Sequence, residues 1–191
     1  MTEPIVTAPI ATEPILVTGP PGAGKSTVAA LVAEAFPTVA LVPGDAFFAF
    51  WSRGFVEPWR PESRRQNETI TTAAGAAVGA YSRGGCQVVY EGVLGPWLLP
   101  TFLAGSGLAS AHYVVLLPPV DVCLARVAGR VGHAFADPAA TRHMHAQFAD
   151  ADVDDRHLVD GAGADAAAVA ADVLTRVRDG SVRLPQRRST P

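Results

Sequence analysis

Ile15-Leu16-Val17-Thr18-Gly19-Pro20-Pro21-Gly22-Ala23-Gly24-Lys25-Ser26-Thr27 decides the fold. The first four residues are a short apolar run, suited to a buried strand. The next eight keep the spacing G-x-x-x-x-G-K-[ST]. Thr27 to Phe36 then reads as a helix, stopped by Pro37. Strand, glycine loop and helix in this order make a phosphate cradle. The glycines let successive N–H groups turn inward and let the chain come close to an anion. The helix adds its positive N-terminal end. Lys25 reaches the β- and γ-phosphates as a point charge, and the Ser26 hydroxyl is placed to ligate Mg²⁺. Nucleotide binding is therefore read onto Gly19, Pro20, Pro21, Gly22, Ala23, Gly24, Lys25, Ser26 and Thr27.

Lys25 is the only lysine in the chain, beside 14 arginines. The general preference for arginine looks like a coding bias. At position 25 a compact ammonium has to fit inside a glycine loop, where the planar guanidinium is too bulky.

The 191 residues are 49% hydrophobic and 17% charged, with a net charge of −3, which bounds the chain to one globular domain with a sizeable core. The longest apolar stretch, near Val114–Val122, is too short for a membrane span and is broken by Pro118 and Pro119. Met1–Pro14 has two acids, no base and no apolar h-region, so no signal peptide is read there. Cys86 and Cys123 are too few for a disulfide framework and read as small core residues. A reduced, cytoplasmic setting is the expectation. The acidic balance argues against nucleic acid as a partner, and no membrane partner is expected.

Val39–Val42, Gln87–Tyr90, His112–Leu117 and Arg156–Val159 read as further strands. Pro61–Arg83, Val120–Arg130, Asp137 to about Phe148 and Asp165–Arg178 read as helices, the third with Asp137 as N-cap and Pro138 at N1. Alternating strands and helices imply an α/β fold: a parallel sheet covered on both faces. The domain is read over residues 14–179, with loose ends at 1–13 and 180–191.

Ligands bind beyond the carboxyl ends of such strands. Asp45 follows the second strand and is read as a general base for a substrate hydroxyl, with helix N-capping as the competing role. Glu91 follows the third strand and is read as ordering Mg²⁺ through water. Arg126 and Arg130, four apart on one helix face, are read as charge-stabilising or base-stacking groups, with the loop Val131–Asp137 able to close over a nucleotide. Arg142 is a weaker candidate of the same kind. Phe47 to Trp59 holds six of the 14 aromatics in 13 residues. It reads either as an apolar wall for the substrate, with Phe48 on the wall and Arg53 holding a polar group, or as helix packing. Arg64, Asn67 and Trp97 are further wall candidates. His143 and His145 point apart on a helix and make no metal pair.

With these residues in place, the chain resembles the small P-loop kinases over about Pro14 to Arg178. It is similar to adenylate, shikimate and gluconate kinases in fold, and above all to the chloramphenicol phosphotransferase-like small kinases. The resemblance implies a three-layer P-loop NTPase fold with five parallel strands ordered 2-3-1-4-5 and a lid between strands four and five. It implies that Asp45 is the acceptor-side acid, that Arg126 and Arg130 are paired lid arginines, and that Asp160-Gly161-Ala162 is the adenine-side loop. Two departures stand out: a short lid, Gly132 to Asp137, with no arginine between Arg130 and Arg142, and Glu rather than Asp after strand three.

The expected activity is ATP- and Mg²⁺-dependent transfer of a γ-phosphoryl group to a hydroxyl of a small molecule. ATP is favoured over GTP because no Asn-Lys-x-Asp run occurs. The alternative is a nucleotide-dependent binding module, or an NTPase switch acting with a partner.

Overall fold

In a computed structural model of the chain, which describes residues 12–129, 137–161 and 163–184, β1 (Ile15–Thr18) is buried at every residue. It pairs in parallel with β3 (Gln87–Gly92) on one side and β4 (Ala111–Leu116) on the other. β2 (Val39–Pro43) lies outside β3, and β5 (Leu158–Val159) lies outside β4. The parallel order is therefore β2-β3-β1-β4-β5, as the resemblance implied. Strands covered on both faces read as continuous apolar runs, which is how β1 and β4 were legible.

Successive side chains leave opposite faces of the sheet. Ile15 and Val17 join a core with Val28 and Val32 of α1 (Lys25–Ala33) and Val173 of α6 (Ala166–Asp179). Leu16 joins a second core with Val78 of α2 (Arg64–Arg83), Phe102 of α3 (Leu99–Ser106) and Tyr113. α4 (Val120–Ala128) and α5 (Pro138–Ala149) complete the α-helices among the described residues. Asp137 caps α5 as read, its Oδ1 accepting from the N–H groups of Ala139 at 2.8 Å and Ala140 at 3.1 Å. Buried His157 joins β5 to β4, with Nδ1 2.9 Å from the carbonyl of Tyr113. No helix among the described residues is long and apolar enough to cross a membrane.

The structure departs from the sequence reading in three places. α3 was not assigned an element from the sequence. Residues 180–184 are not loose: β6 (Arg183–Leu184) pairs antiparallel with the start of β4, giving the sheet a sixth strand. Residues 12 and 13 are also fastened. The Thr12 N–H donates to Ser82 O at 3.1 Å, and its hydroxyl donates to Cys86 O. Glu13 joins the two segments. Its carboxylate accepts from Arg183 Nε at 2.8 Å and from the Ser110 hydroxyl, which ties the two ends together beside β4. The Arg183 hydrogen bond is the main reason the Glu13 carboxyl is held down to about 2. Arg130 and lid residues 131–136 lie outside the described residues, as does Ala162.

Candidate phosphoryl-transfer site

The glycine loop leaves β1 and enters α1 at its N-terminal end. Gly22 has φ +81°, and a Cβ there would stand 2.3 Å from the carbonyl oxygen of Cys123. The backbone of α4 therefore packs directly on the loop, and only glycine permits both the turn and the approach. Gly24 is the N-cap of α1 and offers no side-chain hydrogen bond. The first-turn N–H groups and the positive helix end thus face the loop's concavity. Lys25 is buried, and its Nζ donates to Pro20 O at 3.0 Å, lying back along the loop it is read to serve.

Ser26 is exposed beside the loop, and its hydroxyl donates to Glu91 Oε2 at 3.2 Å. Glu91 is buried and lies within β3, not after it, in register with Val17 and Pro43. The sequence reading thus brought together two residues 65 positions apart. A hydroxyl and a carboxylate are hard oxygen donors of the kind Mg²⁺ takes. Among the described residues no group of three or more His, Cys, Asp or Glu side chains could enclose a metal. Mg²⁺ sites in general take one or two protein oxygens, with phosphate and water filling the rest.

Asp45 lies two residues beyond Pro43, which pairs with Glu91, so both carboxylates stand at neighbouring strand ends. It occupies the first turn of a 3-10 helix, Gly44–Phe50, whose N-cap is Pro43 without a side-chain cap. The capping role weighed for Asp45 is therefore not used, and the side chain is exposed. Between these strand ends stands the hydroxyl of Tyr90, a residue the sequence reading did not single out. A Cβ at Gly44 would lie 2.3 Å from that oxygen, and one at Gly92 would lie 2.7 Å from it. Burial, and then the Asp45 and Glu91 charges, push the phenol above its ordinary value, so it keeps its proton.

On the other side of the loop, Arg126 Nη1 donates to Ala23 O at 3.3 Å and to Gly22 O at 3.4 Å. Arg126, Thr27 and Gly161 line a cavity of about 320 Å³ with Leu116, Ala164 and Val169. A guanidinium facing an apolar wall suits a flat heteroaromatic ring. Leu116, Ala164 and Val169 were missed because small apolar residues carry no chemical signal of their own.

The acceptor-side candidates separate. Phe48 meets Phe55 edge to face, with ring centroids 6.3 Å apart. Arg53 is exposed in the turn before Gly54 and is not brought against the other candidates. The Asn67 amide donates to Pro58 O at 2.7 Å and to Ser63 Oγ at 3.0 Å, so it holds the aromatic segment from behind rather than lining it. Arg64 is exposed and paired with Glu68 at 3.0 Å. Trp97 packs on Phe148, with centroids 5.2 Å apart. Arg142 and His143 are exposed on α5, whereas His145 is half-buried, with Nε2 2.8 Å from Pro118 O.

No protein-family pattern and no curated protein matches the chain. Solved structures do. A sugar kinase from a Janibacter species superposes with a TM-score of 0.69 at 20% identity, over 87% of this chain and 95% of that one. The tunicamycin resistance protein of Deinococcus radiodurans gives 0.63 at 19% identity, over 87% and 95%. Shikimate kinase from Acinetobacter baumannii gives 0.61 at 20% identity, over 90% and 96%. Their likeness over nearly the whole chain, together with the strand order and the glycine loop at the end of β1, shows that this chain has the fold of the small P-loop kinases.

Proposed function

We propose that the chain transfers the γ-phosphoryl group of ATP, with Mg²⁺, to a hydroxyl of a small molecule. The observation that carries this reading is the meeting of Ser26 and Glu91 at 3.2 Å beside the glycine loop, with Asp45 at the next strand end. ATP would place its phosphates in the loop and its base against Arg126, Gly161 and the apolar wall of the cavity. Ser26, and Glu91 through water, would hold Mg²⁺, which neutralises charge on the β- and γ-oxygens when bound.

The remaining roles belong to the chain's own groups. Asp45 accepts the proton of the acceptor hydroxyl as that oxygen bonds to the γ-phosphorus and the bond to the β,γ-bridging oxygen breaks, releasing ADP. Lys25 and the α1 N-terminus stabilise the charge that develops on the phosphoryl oxygens. Arg126 orients the nucleotide. The supporting neighbours include kinases of a sugar and of shikimate, which are small hydroxylated acceptors.

The test is a panel of hydroxylated compounds with γ-labelled ATP, following label into the compound or into water. Transfer to a compound is expected. Asp45→Asn should lower it by roughly 10²–10⁴-fold while ATP binding persists. Release to water alone across the panel would replace this reading with the nucleotide-dependent switch.

A further inference from the structure

We infer that the Tyr90 hydroxyl is a specificity-determining contact of the acceptor, donating to a second oxygen on the carbon next to the reacting hydroxyl. This rests on the kinase reading above and names what the same site demands of its acceptor beyond one hydroxyl. Two tyrosines, Tyr90 and Tyr113, share the core on one face of the sheet. Tyr113 is 1% exposed, and its hydroxyl donates to Leu94 O at 2.9 Å. Tyr90 is 5% exposed, and its hydroxyl makes no hydrogen bond among the described residues. Nor does its oxygen belong with the side-chain atoms sealed from solvent without a partner, which are Asn67 Oδ1, Ser82 Oγ and His112 Nδ1. It therefore reaches the surface of the cleft between the ends of β2 and β3. Buried hydroxyls ordinarily have a partner. The chain supplies one for Tyr113 and leaves that of Tyr90 to come from the cleft.

The slot that holds this phenol is narrow and fixed. A Cβ at Gly44 would meet its oxygen at 2.3 Å and one at Gly92 at 2.7 Å, and the latter would also lie 3.3 Å from Gly44 Cα. The two glycines thus close on the hydroxyl from neighbouring strands, and each adjoins a carboxylate, Asp45 or Glu91. The ring rests on Phe102 with centroids 4.8 Å apart. The chain beyond Gly92 is held by Leu94, whose N–H donates to Thr18 Oγ1 at 2.8 Å. A donor fixed in this way needs no ordering when a ligand arrives, which favours binding.

Burial, with the charges of Asp45 and Glu91, keeps the phenol protonated, and the field of the two carboxylates turns its O–H toward the cleft. Asp45 is read to take a proton, and beside it Tyr90 offers a hydrogen bond. A proton acceptor next to a fixed donor matches a hydroxyl flanked by a second oxygen, as in a vicinal diol. A simple alcohol would serve Asp45 but leave the phenol unpaired and shut off from water. A site built to hydrogen-bond a substrate oxygen rejects the analogue that lacks it for this reason.

The test uses the full chain and sets the cis and trans isomers of 1,2-cyclohexanediol against cyclohexanol, which lacks only the second oxygen. Each compound is titrated calorimetrically beside a non-hydrolysable ATP analogue, and then mixed with γ-labelled ATP. At least one diol should bind roughly 10–100-fold tighter than cyclohexanol, and its kcat/KM should exceed that of cyclohexanol by a similar factor. Tyr90→Phe keeps the ring on Phe102 and should bring the diol down to the cyclohexanol value, with ATP binding and a cooperative thermal transition retained. Damage to the fold would lower both compounds together, whereas loss of the contact closes the gap between them. Diols that bind no tighter than cyclohexanol, or a preference that survives in Tyr90→Phe, overturn the inference. The two assays also separate the two readings. A Tyr90-dependent preference in binding, with label released only to water, sinks the kinase and leaves the contact standing. Transfer to diol and cyclohexanol with equal efficiency does the reverse.

Discussion

Gly44→Ala is the substitution whose consequence the structure specifies most fully. Gly44 and Gly92 have no positive φ, so neither is needed for an unusual turn. Both are small because the Tyr90 hydroxyl stands between them. A methyl at position 44 would lie 2.3 Å from that oxygen and 2.7 Å from the ring carbon bearing it. The ring cannot withdraw, since it is 5% exposed and rests on Phe102 with centroids 4.8 Å apart. Overpacking of this kind costs about 1–3 kcal/mol, which for a chain of this size lowers Tm by roughly 2–12 °C. The strain falls on the first turn of the helix that carries Asp45, so phosphoryl transfer should decline with stability. Tyr90→Phe removes the closest atom and keeps the ring. In the double variant, urea unfolding should show the two changes coupled by about 1 kcal/mol, with Gly44→Ala milder in the phenylalanine background. Additivity within about 0.5 kcal/mol, or a Gly44→Ala variant of normal stability, would refute the wedge.

Further outcomes follow from the same geometry. Lys25→Arg keeps the charge but places a planar guanidinium where the buried ammonium reaches Pro20 O at 3.0 Å, so most transfer activity should vanish in a direct assay. Glu91→Gln should raise the Mg²⁺ concentration needed for half-maximal activity more than it alters ATP binding, measured by Mg²⁺ titration at fixed ATP. Burial holds the His112 and His157 imidazoles below their ordinary value. The unfolded chain therefore binds more protons, and unfolding free energy should fall as pH drops below about 6.5; His157→Gln should flatten that slope. Glu13 is depressed from 4.5 to about 2, so its contribution is present above about 4.5 and lost as pH falls toward 2, and Arg183→Ala should weaken that acid dependence, leaving the part due to Ser110 and His112.

What was legible in the sequence was local. β1, the glycine loop and the Asp137 cap each announce themselves within a few residues, because their chemistry is satisfied by near neighbours. α3 was not legible: Leu99-Pro100-Thr101-Phe102 lacks helical periodicity, and the helix is stabilised chiefly by packing Phe102 into the core beneath α2. β6 and the fastening of residues 12 and 13 escaped notice because the groups responsible are far apart in the chain. Tyr90 looked like one more apolar strand residue, and its position beside the site appears only when Gly44 and Gly92 are placed around it. Asn67 was read as a wall candidate, and its amide donates to the carbonyl of Pro58 behind the aromatic segment. Arg126 was legible by spacing and resemblance, but its contact with the glycine loop depends on the approach of α4 to Gly22.

The bond between Glu13 and Arg183 also bears on the order of folding. It joins residues 170 positions apart, so loop closure opposes it more than almost any other contact. On a ribosome the central strand and its glycine loop emerge well before the arginine that secures the segment leading into them. Parallel strands drawn from distant segments already fold slowly. In this chain the phosphate cradle should therefore assemble before its base is tied, and the tie should tighten in the final step, raising the barrier to unfolding more than the rate of folding.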